Sequence, residues 1–270
     1  SYEKSKLPGA DKLTCLDNFL SCFKENSITL IGDRCHEDTI KKLEETKLPL
    51  FLTNFGNAGS LHYALDLAIK ECSNDEIVYF CEDDYLHLPK SPQLLQEGSL
   101  IADYFTLYDH PDKYTNMYGM GEVSKVVRTN SSHWRYTVST CMTFGANIKI
   151  LKEDVDIFKK HIGVVFGQAE HPVDHDIFCE LKEKNRKLAV CIPGAACHVD
   201  LTFSSLVGSV LIEPWAIEEL IERKIAHLNL IETKIKKENL NEFINIKQVI
   251  LNKKGWQKLI SLDALIKNCN

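Results

Sequence analysis

The sequence predicts an α/β fold: a mostly parallel central sheet flanked by helices, with a small antiparallel element and a C-terminal helical extension. Three observations carry that reading. Helix-like and strand-like apolar patterns alternate as αβαβαβ between Thr14 and Phe80, the mark of parallel strands joined by right-handed crossovers. The run Ile77-Val78-Tyr79-Phe80-Cys81, entered from the turn-like Ser73-Asn74-Asp75-Glu76, reads as a strand buried on both faces. A chain of 270 residues, 44% apolar and 26% charged, can bury one large core or two modest ones.

Taken in order, Leu16, Phe19, Leu20 and Phe23 recur at helical spacing within Thr14 to Asn26. Ile28 to Ile31 reads as a strand ended by Gly32-Asp33-Arg34, and Asp38 caps a helix through about Thr46. Pro49 to Thr53 is the next strand. Asn54 to Ser60 is a small-residue turn into a helix whose buried face uses Leu61, Ala64, Leu65, Ala68, Ile69 and Cys72. After the Ile77 strand, a short helix from Ser91 leads to a strand at Ala102 to Tyr108. Glu122 to Arg128 and His133 to Phe144 form an antiparallel pair. Lys149 to Lys160 is helical, Gly163 to Gln168 is a link, a helix follows Asp176, and Lys187 to Ile192 is a strand. Beyond Pro214 the pattern is helical and mildly basic, giving expected domains of 1–213 (a donor half at about 1–90, an acceptor half at about 91–213) and 214–270.

Composition narrows the function. The net charge of -6 argues against general nucleic-acid binding, which needs a basic surface. Ten cysteines without a C-x-x-C pair read as reduced, mostly buried thiols. No run is long enough to span a bilayer and no signal segment opens the chain, so a cytoplasmic protein is expected. A membrane-surface contact and a homodimer through the C-terminal helices are further expectations.

Parallel topology would bring three strand ends to one edge, where open α/β sheets bind ligands. They carry Asp33 with Arg34, Asn54 with Asn57 and Gly59, and Glu82-Asp83-Asp84. Three adjacent carboxylates repel one another unless a cation compensates them, and a hard divalent metal bridging to phosphate oxygens is the usual compensator. The alternative is a set of acids that cap a strand and face water. The Asn57-Ala58-Gly59-Ser60 turn is open to a purely conformational role, and it matches neither G-x-G-x-x-G nor a P-loop. Asp109 to Tyr114, with His110 and Lys113, concentrates groups suited to a polyol. Asp174-His175-Asp176 places two acids at a helix start, where capping is the plain role and chemistry the sharper one. His198 follows the last strand, and alone is more often structural than metal-bound.

This pattern, over roughly residues 11 to 205, resembles the GT-A glycosyltransferases, in particular the inverting, family-2-like enzymes that use nucleotide-sugars. A vaguer likeness is to those of large algal viruses and bacterial surface-polysaccharide clusters. Glu82-Asp83-Asp84 looks like the family's D-x-D, Asp33 falls where an acid contacts the nucleoside, and Asn57 and Gly59 match a second nucleotide-side loop. The resemblance implies Mn2+ or Mg2+ held by Asp84 and His198, and Asp174, or Asp176, as the base. It makes Arg34, Asn54, Glu82 and Asp83 donor contacts, and His110, Lys113, Trp134 and Arg135 sugar or acceptor contacts. A UDP-, GDP- or dTDP-linked sugar is the implied donor, and a glycan or glycoconjugate the acceptor. The family's first strand would lie at or before Ser1-Tyr2. Rival readings are a sugar-nucleotide pyrophosphorylase and a non-catalytic nucleotide- or carbohydrate-binding protein.

Overall fold

The computed structural model describes residues 10–110, 124–162 and 174–199, with the backbone of 248–251 and 258–261. The alternation read from the sequence is present: α1 (Lys12–Cys22), β1 (Leu30–Asp33), α2 (Glu37–Glu45), β2 (Leu50–Thr53), α3 (Gly56–Glu71) and β3 (Ile77–Phe80). Acids open α2 and Lys42 closes it, as the helix dipole favours. The lead into β3 is fixed by Glu76, whose carboxylate accepts from the Ser73 amide at 2.6 Å and hydroxyl at 2.7 Å. Next come β4 (Tyr85–His87), α4 (Ser91–Ser99), β5 (Tyr104–Thr106), β6 (Val126–Arg128), β7 (His133–Thr137), β8 (Phe144–Asn147), α5 (Ile148–His161), α6 (Asp174–Glu183), β9 (Leu188–Ile192) and β10 (Ala196–His198).

The sheet corrects the expectation of mostly parallel pairing. Six strands lie in the order β3-β8-β5-β9-β7-β6, and within this sheet only β5 and β9 run parallel. The cause is β8, which enters between β3 and β5 and runs against both, and β7, which runs against β9. The other parallel pair, β1 with β2, is a separate two-stranded sheet. Helix starts also move: Asn57 and Gly59 lie in the first turn of α3 rather than in a turn before it, and Asp174 opens α6.

Strand alternation sorts the core into two layers. Val78, Phe80, Tyr104, Phe144, Ala146 and Leu188 face α3, α5 and α6, where Leu65, Phe158, Ile177 and Phe178 pack. Their immediate neighbours Ile77, Tyr79, Phe105 and Ala189 face the opposite layer, with Phe19 and Phe23 of α1 and Leu94 and Leu95 of α4. β3 is half-buried along most of its length rather than buried on both faces. A polar latch ties the first layer together. Arg186 donates to both oxygens of the buried Asp154, at 2.7 and 3.2 Å, and the Tyr104 hydroxyl donates to the same carboxylate at 3.0 Å.

The chain divides into two compact units, Ser1–Ser5 with Lys12–Ser209, and Lys6–Asp11 with Val210–Asn270. In the second, β11 (Gln248–Leu251) and β12 (Lys258–Ser261) pair antiparallel, which corrects the helical reading at those residues; the expected apolar helix positions from Ile217 to Leu228 lie outside the described residues. Among the described residues no helix is long and apolar enough to cross a membrane. Of the nine described cysteines three (Cys15, Cys191 and Cys197) are buried, fewer than expected.

Candidate functional site

β3, β5 and β9 share one direction, because β8 runs against both β3 and β5 and β5 parallels β9. Their C-terminal ends therefore emerge at one edge, carrying Glu82-Asp83-Asp84, Tyr108-Asp109-His110 and Pro193-Gly194. A two-stranded ribbon lies across this edge. β4 pairs antiparallel with β10 in the register Tyr85↔His198 to His87↔Ala196, and the Val199 amide donates to the Asp84 carbonyl at 2.9 Å. β10 is seated on the end of β5 by Ala195 and Ala196 amides that both donate to the Leu107 carbonyl, at 2.8 and 3.0 Å. Gly194 permits this approach, since a Cβ there would stand 3.1 Å from that carbonyl oxygen.

The ribbon explains why residues 114 apart in sequence meet. Asp84 immediately precedes β4 and His198 ends β10, and the His198 Nε2 lies 3.4 Å from Asp84 Oδ2. Both are buried, at 7% and 5% exposure. The imidazole is held edge-on by Tyr85 at 4.9 Å and borders Tyr108 at 6.1 Å. Tyr108 also receives His110 at 5.5 Å, which brings that residue to the same cluster. The Tyr85 hydroxyl, pushed above its ordinary range by burial and then by the nearby Cys141, donates to the Cys141 carbonyl.

Asp84 and His198 are two side chains that could hold a divalent cation. Two ligands at about 2.1–2.2 Å from one ion stand roughly 3 Å apart at a right angle, close to the observed separation. A carboxylate suits Mg2+ and Mn2+ alike, and an imidazole favours the transition ion. Among the described residues no third His, Cys, Asp or Glu joins them in ligating geometry.

At the end of β1, Asp33 is committed to its own turn. Its Oδ1 accepts from the Thr53 hydroxyl at 2.8 Å and the Phe55 amide at 2.6 Å, and its Oδ2 from the Gly56 amide at 2.9 Å. Burial works upward on this carboxyl, but these donors outweigh it and hold it below the usual range. Asp33 thus holds the start of α3. Arg34, in the left-handed region with φ 51°, donates from Nε to Asn54 Oδ1 at 3.2 Å. The β1 and β3 ends are near each other: Cys35 lies within charge range of both Asp33 and Asp83, and Lys12 donates to Asp83.

Asp174 and Asp176 stand in the first turn of α6, whose N-terminus favours negative charge. A helix joined to β9 by a short turn runs back along the sheet, so its start lies toward the edge where β9 ends. Phe178 anchors it against Tyr104 and Phe144. Two of the expected acceptor contacts, Trp134 and Arg135, are buried. Trp134 is fully buried in the layer with Leu94 and Phe105, its indole N–H donating to Thr129. Arg135 is 7% exposed and donates to the buried Asp109 at 2.9 Å. Arg135 thereby stands against Asp109 at the β5 end of the same edge, while Trp134, its neighbour on β7, packs in the α4 layer. Lys113 lies outside the described residues. Lys12, Tyr85 and Tyr108 were missed by sequence reasoning; nothing local marks Lys12, since its partner is 71 residues away.

No family model matches the chain, and no curated protein matches it. Among solved structures it is similar to a nucleoside-diphosphate-sugar pyrophosphorylase from Vibrio cholerae RC9, with a TM-score of 0.42 and 11% identity. That alignment covers 74% of this chain and 89% of the other. The chain is a mixed α/β protein with a central multi-stranded sheet and flanking helices; the likeness is too distant to assign a family.

Proposed function

We propose that this protein is a nucleotide-sugar-dependent glycosyltransferase, with its donor at the edge formed by the ends of β1, β2 and β3. The observation that carries the reading is the buried Asp84–His198 pair, built by the β4–β10 ribbon beside an acidic strand end. Mn2+ or Mg2+ at this pair would offset the charge of the donor's diphosphate as it leaves. The chain's own residues do the rest. Arg34 and Asn54, locked to each other at the β2 end, flank the donor on one side. Asp174, or Asp176, takes the proton of an acceptor hydroxyl whose oxygen then bonds to the anomeric carbon from the face opposite the departing diphosphate. The single displacement inverts configuration.

A second reading is nucleotidyl transfer to a sugar phosphate at the same edge. Two cations, Lys12 paired with Asp83 of the acidic loop and Arg34 beside Asp33 at the end of β1, suit the larger charge of a triphosphate. Product analysis separates the two. Incubation of a panel of nucleotide-sugars with Mn2+ and a glycan acceptor is expected to release a nucleoside diphosphate and an extended glycan. Asp174→Asn should lose at least 10²-fold in transfer while keeping nucleotide affinity. Release of sugar 1-phosphate on adding pyrophosphate would instead support nucleotidyl transfer, and an unaffected pair of variants Asp174→Asn and Asp176→Asn would sink the assignment of the base.

A further inference from the structure

Lys12 opens α1, and its ammonium donates to Asp83 Oδ2. It also lies within charge range of Asp84 and of Cys35, so a cation stands between the end of β1 and the end of β3. Two roles compete for it. As a plain surface ion pair it would only pin α1 to the sheet edge, and with the two side chains 62% and 61% exposed that contributes little. α1 does not need the pin, because Phe19 and Phe23 stack on Tyr79 and meet His87 edge-on, and Asn18 exchanges two hydrogen bonds with the His87 backbone.

Charge decides between the roles. Glu82, Asp83 and Asp84 place three carboxylates on one short loop, and a divalent cation offsets only two of them. A diphosphate arriving at such an edge meets these carboxylates, so a cation at the loop favours its entry. Lys12 is such a cation, and it is already there. A compact, strongly hydrated ammonium on a flexible stem also suits a phosphate oxygen as a point charge, and leaving an exposed carboxylate costs it little.

We propose that Lys12 is a diphosphate-binding residue: its ammonium rests on Asp83 in the empty site and transfers to a phosphate oxygen when a diphosphate enters. This rests on the donor-site reading above. It adds a residue from α1 to a site otherwise built from strand ends, and it makes Asp83 the resting place of that cation rather than a ligand of the metal.

Calorimetry on the full chain tests it with three titrants, Mn2+ alone, pyrophosphate with Mn2+, and UDP with Mn2+. Lys12→Met should weaken both diphosphates about tenfold, the loss of one charge-assisted hydrogen bond, with Mn2+ alone bound as well as before or more tightly. Lys12→Arg should recover most of the loss. In parallel, acetylation of Lys12 followed by mass spectrometry should slow several-fold when pyrophosphate and Mn2+ are added, with Lys24 unchanged. Wild-type diphosphate affinity in Lys12→Met, or a Lys12 equally reactive with and without ligand, overturns the inference and leaves the donor site standing. Loss of Mn2+ binding in Lys12→Met overturns it too, since the residue would then act by holding the acidic loop. If the wild-type chain binds neither diphosphate, the donor-site reading fails and this inference falls with it.

Discussion

His87 should make the protein acid-labile by a calculable amount. Its side chain is fully buried, edge-on to Phe19, Phe23 and Tyr79, and its Nε2 meets the Tyr79 hydroxyl at 2.9 Å. Among the described residues its Nδ1 has no hydrogen-bond partner. The neighbouring Cys81 and Tyr79 offer no stabilising charge, because burial holds both in their neutral forms. Burial therefore lowers the imidazole from 6.5 to about 3. Between those values the unfolded chain binds a proton that the native chain refuses, so stability falls as the pH drops below 6.5 and goes on falling toward 3. Linkage over that interval gives a loss of about 2 kcal/mol between pH 7 and pH 5 from this one group. His87→Gln keeps an amide near the Tyr79 hydroxyl and removes the titration. Urea unfolding of both proteins at pH 7 and pH 5 is the assay. The wild-type midpoint should fall by roughly 1 M more than that of the variant, at a urea slope of about 2 kcal/mol per M. Equal losses in the two proteins would show that His87 is not held neutral in the native state.

Other expectations concern the scaffold and the site's edge. Arg186→Met leaves the buried Asp154 carboxylate with the Tyr104 hydroxyl but without its cation, and should cost about 3–5 kcal/mol in chemical denaturation. Gly145→Ala would set a Cβ 2.1 Å from the ring of the fully buried Phe105, so repacking should cost about 1–3 kcal/mol and lower the melting temperature. Asp33→Ala removes the acceptor of the Phe55 and Gly56 amides at the start of α3; about 1–2 kcal/mol should be lost, with faster hydrogen exchange confined to those amides. Unchanged exchange there would refute the turn-holding role.

Periodicity was enough to locate the elements from α1 to β3, but not the short strands β4 and β10 or the β11–β12 pair. The i, i+3, i+4, i+7 spacing of Leu16, Phe19, Leu20 and Phe23 specifies a helix whichever partner it meets, and Ile77–Phe80 is apolar enough to be a strand in any sheet. The acidic tip after β3 was legible for the same reason: a charged triplet cannot continue a half-buried strand. Partner choice was not legible. Nothing in Phe144–Asn147 says that it enters between β3 and β5 and turns the sheet antiparallel, because pairing depends on which free edge a strand reaches, not on its own alternation. Trp134 and Arg135 carry residue types suited to a ligand surface, and only tertiary packing buries the first beside α4 and turns the second onto Asp109. The pairing of Asp84 with His198 was expected from the resemblance alone; the ribbon that makes the contact is closed by backbone hydrogen bonds that leave no mark on side-chain pattern. Local interactions thus set what each segment is, and long-range pairing, governed by the burial of backbone groups and the close packing of two layers, settled which residues share a site.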